Sequence, residues 1–271
     1  MTETAEAFDL TGLDRPGEPF AYEVTEEALR AYADATGDAV GGPVFAIVPA
    51  WNAIAPASRS VASDAVRDRV LHYEQDIRVH RPLVAGLELV TVATPIALLP
   101  RPNGTSLVIR VETRDRSDGL VAEQFVTEFF RGVTAESSHG ERAPAHGLAV
   151  EGEPLAEIEQ HVAADQPQRY AEASGDRFAI HLDDAFARSV GLPGRIVHGL
   201  CTMAFAGRAA LEAAGRSDPR DVSRLAVRFS APLFPDSTLR TRVWRVDGGF
   251  GFESLNADGQ PVLKDGRLEL R

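Results

Sequence analysis

A carboxylate and an imidazole stand five residues apart, as Asp176 and His181, in a segment whose residue types suit proton transfer. This segment, Tyr170–Thr202, reads YAEASGDRFAIHLDDAFARSVGLPGRIVHGLCT. A short helix is predicted before Asp176, and a second, more apolar helix opens at His198-Gly199. The spacing suits general acid–base chemistry on a bound water, in which one side chain removes a proton while another donates one. We therefore interpret Asp176 and His181 as the candidate catalytic pair.

Each member of this pair also has a structural interpretation. Asp176 follows Ser174-Gly175 at a predicted helix end, where aspartate commonly shapes a turn. In the first half of the chain Asp38 occupies the matching position, and Pro43 stands five residues later where the second half has its histidine. The Gly-Asp turn is thus interpreted as structural in both halves. Only the second half adds a catalytic partner.

Composition limits the classes of function. The chain has 271 residues, of which 44% are hydrophobic and 25% charged, as in an ordinary globular protein with one large core or two smaller ones. Its net charge of −12 argues against nucleic acid as a partner, because phosphate contacts need clustered cations. The single cysteine, Cys201, is interpreted as a small buried hydrophobe, and its isolation fits a reducing compartment.

Neither a signal peptide nor a membrane-spanning helix is expected. The N-terminal residues MTETAEAFDL have neither the basic start nor the apolar run of a signal peptide. No segment reaches the roughly 18 uninterrupted apolar residues that a membrane-spanning helix needs. We therefore expect a cytoplasmic protein with no membrane partner.

An internal repeat organises the chain. Residues 24–38 (VTEEALRAYADATGD) resemble residues 162–176 (VAADQPQRYAEASGD) at an offset of 138. Residues 79–83 (VHRPL) match residues 229–233 (FSAPL) at an offset of 150. The first half therefore has 12 residues fewer between its Gly-Asp turn and the later match. The extra residues of the second half are those that carry His181.

Both halves predict the same order of elements. In the first, Thr25 is a suitable N-cap for a short helix, and the segment Pro49–Ala57 opens a second one. In the second, Asp165 and Pro167 start the short helix, and Val197–Ala214 forms a long one. Four strands follow in each half, at 73–81, 86–98, 105–114 and 120–133, and near 222–232, 238–246, 250–257 and 261–269. A helix followed by an antiparallel meander predicts an α+β layer architecture with the sheet wrapped on the helix.

The motif of the second half resembles the signature of the (R)-specific enoyl-thioester hydratases and dehydratases, the MaoC-like branch of the hotdog fold. That signature runs Tyr-Ala-x-x-Ser-Gly-Asp-x-Asn-Pro-Ile-His-x-Asp and, after a spacer, Ile-x-His-Gly-Leu. The first half, with His72-x-Glu74-Gln75 and His80-Arg81-Pro82-Leu83, resembles the degenerate N-terminal unit of such enzymes. The resemblance implies a double hotdog, each unit an antiparallel sheet around a long central helix. The degenerate unit is expected over residues 1–140, and the unit carrying the hydratase motif over 141–271.

The resemblance also implies a reaction. Water adds across the trans-2 double bond of an acyl thioester to give an (R)-3-hydroxyacyl thioester, or the reverse dehydration occurs, with Asp176 and His181 holding the water. The backbone N–H of Gly199, at the start of the long helix, is the implied oxyanion donor. Ser174, Phe178 and His198 complete the implied substrate-binding set, with packing or capping as the alternative for His198.

One departure from the signature is Phe178-Ala179, which stands where the family has Asn-Pro. The change removes a polar group from the site loop and adds bulk, which favours altered acyl specificity, slower hydration or a site used for another purpose. Two alternatives stay open. The first is a hotdog acyl-thioester hydrolase, since fold does not fix reaction. The second is a non-catalytic acyl-thioester-binding or assembly partner.

No metal or cofactor is expected. The sequence has no His/Cys/Asp cluster at metal-ligand spacing, no Gly-rich phosphate loop and no nucleophile elbow. His72 and Glu74 are interpreted as polar residues on a solvated strand face. The expected partners are an acyl thioester of coenzyme A or of a carrier protein, with Arg195 and Arg208 as candidates for phosphate contacts, and a homodimer or a heteromer with a related hotdog subunit. Fatty-acid or polyketide metabolism is the expected setting.

Overall fold

The computed structural model describes residues 7–147 and 150–271. Its α-helices are α1 (Glu26–Thr36), α2 (Trp51–Arg59), α3 (Gln166–Ser174), α4 (Ala179–Leu182), α5 (Asp184–Ser189) and α6 (Gly199–Ala213). Its strands are β1 (Phe20–Glu23), β2 (Val70–Val79), β3 (Glu88–Arg101), β4 (Gly104–Asp115), β5 (Leu120–Arg131), β6 (Ala156–Val162), β7 (Val222–Phe229), β8 (Ser237–Val246), β9 (Gly249–Leu255) and β10 (Pro261–Leu270). Within the described ranges no helix is long and apolar enough to cross a membrane.

The chain forms two compact units, each assembled from three segments. The first takes its described residues from Met1–Glu23, Pro49–Arg81 and Glu88–Ala145. The second takes them from Val24–Val48, Pro82–Leu87 and His146–Arg271. The predicted boundary at 140/141 lies close to the last of these junctions. It differs in that Val24–Val48, with α1, and Pro82–Leu87 belong to the second unit.

The first unit is an antiparallel sheet with strand order β1-β3-β4-β5-β2. Helix α2 packs on β3 and β4 and has nine residues, with Pro56 inside it. A proline in a helix removes a hydrogen bond and crowds the preceding turn, which limits the length of the helix. The expectation of a long central helix is therefore not met in this unit.

A polar interaction inside the first unit corrects one expectation. His72 is half-buried, and its Nε2 lies 3.1 Å from Oε1 of Gln75. Burial lowers the pKa of His72 to about 4, against the raising effect of the contact with Gln75. The interpretation of His72 as part of a solvated strand face is therefore wrong.

The second unit has strand order β7-β10-β9-β8-β6, also antiparallel. The 15-residue helix α6 packs against β7, β8, β9 and β10. Its small residues, among them Ala206, Ala209 and Ala210, are fully buried and let the helix lie close to the sheet. Cys201 is buried on this helix, as expected, and burial raises the pKa of its thiol to about 12. The predicted α+β architecture is confirmed.

The two copies of the repeated helix, α1 and α3, pack against each other in the second unit. Both end on a glycine in the left-handed conformation, Gly37 with φ 64° and Gly175 with φ 81°. Their matching tyrosines, Tyr32 and Tyr170, are buried, and the two hydroxyl oxygens are 3.0 Å apart. This contact explains why α1 belongs to the second unit.

All eight predicted strands are present, with ends that differ from the predicted ones by a few residues. The sequence missed β1 and β6, which are the short outer strands of the two orders. Thr25 caps α1 as expected, since its side chain accepts a hydrogen bond from the N–H of Ala28.

Replacement of Thr25 by alanine should lower the free energy of unfolding by about 1 kcal/mol, because the cap bond to Ala28 is lost. Urea denaturation of wild type and Thr25→Ala measures the change. Thr25→Ser keeps the hydroxyl and is the matched control, so it should retain most of the stability. Equal losses in the two variants would contradict the capping role.

Candidate active site

The carboxylate of Asp176 is positioned by the turn that ends α3. Ser174 donates its hydroxyl hydrogen to the carbonyl of Tyr170, at 2.7 Å, and its oxygen accepts from the N–H of Asp176, at 3.2 Å. Oδ1 of Asp176 then accepts from the N–H of Phe178, at 3.1 Å. The hydroxyl of Ser174 is therefore bonded to backbone on both sides. A contact of Ser174 with substrate stays a prediction.

His181 lies on the short helix α4 and is 7% exposed. Its Nδ1 is 2.9 Å from the carbonyl oxygen of Ile196. A carbonyl only accepts, so Nδ1 carries the hydrogen and, in the neutral ring, Nε2 has the free lone pair. Ile196 in turn donates its N–H to the carbonyl of Ile180, at 3.1 Å. The loop before α6 thus fixes both the orientation and the tautomer of His181.

His198 contacts both Asp176 and His181. It is 1% exposed, and its ring stacks on His181 with centroids 3.8 Å apart and an angle of 22°. Its Nε2 donates to the backbone carbonyl of Asp176, at 3.1 Å, and its other face meets the ring of Tyr170 at 4.8 Å. Nδ1 of His198 is buried and has no hydrogen-bond partner within residues 7–147 and 150–271.

Burial shifts the three titratable groups toward their uncharged forms. It raises the pKa of Asp176 and lowers that of His181, while the opposite charge of each partner acts against the shift. Burial also lowers the pKa of His198 to about 3, and the neighbouring His181 adds to this. His198 is therefore neutral at physiological pH.

The ligand atoms of Asp176, His181 and His198 lie within 4.8 Å of one another. The sequence placed all three residues in the candidate site. It did not indicate them as a group of possible metal donors, since His198 lies 22 residues after Asp176. Both imidazoles donate one ring N–H to a backbone carbonyl, a second contact that is common for metal ligands and equally for catalytic histidines. The geometry thus offers a proton relay or a set of metal donors.

Two further predicted residues, Gly199 and Phe178, lie next to the histidines in the chain or in space. Gly199 opens α6, and the side chain of its N-cap, His198, makes no capping hydrogen bond. The first N–H groups of a helix lack partners within the helix, so that of Gly199 suits an anionic oxygen. Phe178 is 56% exposed and edge-on to His181, with ring centroids 6.5 Å apart.

The two arginines with predicted phosphate contacts are differently placed. The backbone N–H of Arg195 donates to Asp184, at 2.8 Å, in the loop that follows α5. The guanidinium of Arg208 lies over the ring of Phe205, at 5.6 Å, and lines a cavity with Asp38. Neither Asp176 nor His181 lines that cavity. Arg208 is therefore associated with Asp38, where burial raises the pKa of the carboxyl to about 6.

Both halves of the chain match models of known families. Residues 146–262 match the MaoC like domain, and residues 31–132 match the MFE-2 hydratase 2 N-terminal domain. The 3-hydroxyacyl-thioester dehydratase Y of Mycobacterium tuberculosis is 31% identical, in an alignment that covers 97% of this chain and 98% of that protein.

Solved structures show the same fold. A MaoC-like dehydratase from Phytophthora capsici superposes with a TM-score of 0.87 and 25% identity, covering 97% of this chain and 98% of that one. A Mycobacterium tuberculosis protein described as having a double hotdog fold superposes with a TM-score of 0.55 and 19% identity, covering 94% of this chain and 93% of that one. The predicted double-hotdog fold is confirmed.

Loss of the His198 ring should raise the pKa of His181 toward its ordinary value, because water then reaches the face that His198 covers. NMR titration of the His181 ring signals in wild type and His198→Ala measures this shift. His161→Ala, at an exposed strand position, is the matched control and should leave the His181 titration in place. An unchanged pKa in His198→Ala would show that stacking does not contribute to the environment of His181.

Proposed function

The chain belongs to the MaoC-like dehydratase family, and on this premise we propose that it is a hydro-lyase acting on acyl thioesters. It adds water to trans-2-enoyl thioesters to give (R)-3-hydroxyacyl thioesters, or catalyses the reverse dehydration. The matches to a 3-hydroxyacyl-thioester dehydratase and to a hydratase 2 N-terminal domain support this reaction class. The observation that carries it is the proximity of the Asp176 and His181 ligand atoms, within 4.8 Å.

The proposed mechanism uses one proton acceptor and one proton donor. The free lone pair on Nε2 of His181 and the oxygen of Asp176 that Phe178 does not occupy hold the water between them. One group removes a proton from the water as its oxygen bonds to C3 of the substrate, and the C2=C3 electrons move toward the thioester oxygen. The other group then protonates C2. The pair holds the same number of protons before and after the reaction, so it needs only an internal transfer to reset.

The negative charge that develops on the thioester oxygen needs a donor. The N–H of Gly199 is proposed for this role, because it lies at the start of a 15-residue helix and directly follows His198 in the chain. A helix N-terminus carries partial positive charge and unpaired N–H groups, both of which stabilise an anion. The same stabilisation serves the enolate in either direction of the reaction.

The proposed substrate is a thioester of coenzyme A or of an acyl carrier protein, and the proposed chemistry needs no metal or further cofactor. A homodimer, or a heteromer with a related hotdog subunit, is the proposed assembly. The proposed location is the cytoplasm, with fatty-acid or polyketide metabolism as the setting. Nucleic acid is not a proposed partner, in keeping with the net charge of −12.

Replacement of either member of the pair should lower kcat by about 10²–10⁴, the contribution typical of general acid–base catalysis. The assay follows the loss of enoyl-thioester absorbance with crotonyl-CoA, comparing wild type with Asp176→Asn and His181→Ala. Circular dichroism checks that the variants are folded. Asp38→Asn, at the matching position of the first repeat, is the control and should keep activity within a few-fold of wild type.

Three results would contradict the proposal or part of it. Release of free thiol by wild type, without hydration, would make the chain an acyl-thioester hydrolase. Binding of the thioester by wild type with neither reaction would make it a binding partner. Equal activity of Asp176→Asn and Asp38→Asn would remove Asp176 from the mechanism.

A further inference from the structure

Resting on the proposed function, we propose that Phe178 and Phe186 select the acyl group. In this proposal the two rings form an apolar surface beside His181 that binds the acyl carbons beyond the first four. The enzyme would then favour medium-chain and longer enoyl thioesters over crotonyl thioesters. We call these two residues the aromatic pair.

The aromatic pair lies beside the catalytic imidazole. The ring of Phe178 is edge-on to His181, at 6.5 Å between centroids and 71°, and edge-on to Phe186, at 6.1 Å and 71°. Val190 directly follows α5, and its N–H donates to the carbonyl of Phe186, at 3.3 Å. The two rings therefore extend the site with apolar surface.

This apolar surface is open to solvent. Phe178 is 56% exposed, Phe186 36% and Val190 53%. Single exposed apolar residues are ordinary, but an exposed cluster beside a functional site is typical of a ligand-binding surface. An exposed ring gains free energy when a ligand covers it, since apolar area is then removed from water.

Phe178 is also fixed relative to both members of the catalytic pair. Its N–H donates to Oδ1 of Asp176, at 3.1 Å, and its carbonyl accepts from the N–H of His181, at 3.0 Å. The backbone of this one residue thus joins the acid and the base. The point from which the Phe178 ring extends is therefore fixed beside Asp176 and His181. The backbone bonds do not depend on the side chain, so the contribution of the ring can be tested separately.

Polarity identifies the part of the substrate that fits. The reacting carbons must lie against His181, so the aromatic pair is within reach either of the acyl chain or of the arm that carries the thioester. That arm contains amide groups, which need hydrogen-bond partners when water is removed. The side chains of Phe178, Phe186 and Val190 offer none. An acyl chain needs only apolar contact, which these side chains supply.

The test compares kcat/KM for crotonyl-CoA and trans-2-decenoyl-CoA in wild type, Phe178→Ala and Phe186→Ala. The alanine variants should lose roughly tenfold or more with the ten-carbon substrate, which corresponds to about 1.4 kcal/mol. The readout is therefore the ratio of the two kcat/KM values, which should fall roughly tenfold in the alanine variants, because the chain of crotonyl-CoA ends before the aromatic pair. Phe178→Leu keeps an apolar side chain and should retain much of the preference. Leu155 is an apolar residue outside the aromatic pair whose side chain is 50% exposed. Leu155→Ala should leave kcat/KM unchanged for both substrates.

An equal loss with both substrates, or no loss with either, would overturn the proposal. Calorimetric binding of the same two thioesters separates it from the proposed function. If wild type binds but does not hydrate them, a loss of affinity in Phe178→Ala confined to the ten-carbon thioester still supports the aromatic pair, while the hydro-lyase assignment fails. If hydration of crotonyl-CoA is intact and chain-length preference is unchanged in Phe178→Ala, only the aromatic pair is wrong.

Discussion

The hydrogen bond from Nδ1 of His181 to the carbonyl of Ile196 is the interaction on which the site depends. It fixes the hydrogen on one ring nitrogen and leaves the other free to accept a proton. The surrounding layers hold that ring in place, since His198 stacks on it, Tyr170 packs on His198, and Tyr32 meets Tyr170 through their hydroxyls. A chain of four rings therefore connects the reactive imidazole to the interior of the second unit.

The repeat explains why this chain of rings exists. Tyr32 and Tyr170 are the same position in two copies of one helix, and each satisfies the buried hydroxyl of the other. After this shared position the copies differ. Asp176 lies beside two imidazoles, whereas Asp38 lies in a cavity with Arg208 and has no histidine five residues later. One copy of the turn lies beside the candidate catalytic histidine, and the other belongs to a helix, α1, that packs on α3.

The sequence predicted those parts of the molecule that depend on local pattern. Partial alternation and Asp-Gly turns predicted eight strands, and the spacing of Asp176 and His181 indicated the candidate pair. Strand β1 was missed because four residues hold too little periodic signal. Strand β6 is as long as β9, but β9 lies between two Asp-Gly turns and β6 has none beside it. The stacking of His198 on His181 depends on the path of the loop before α6, which spacing does not encode. The contact of α1 with α3 had one signal in the sequence, the match of Tyr32 with Tyr170 in the internal repeat.

The membership of α1 in the second unit has a consequence for the history of the chain. Two fused copies of a gene can usually be parted again, provided each half keeps all the pieces of its own core. Here a cut in the segment between the halves would remove α1 from α3 and leave the hydroxyl of Tyr170 without its partner. The second half alone would therefore lack one helix of its own compact unit. The first half of the sequence thus supplies a structural part of the second unit.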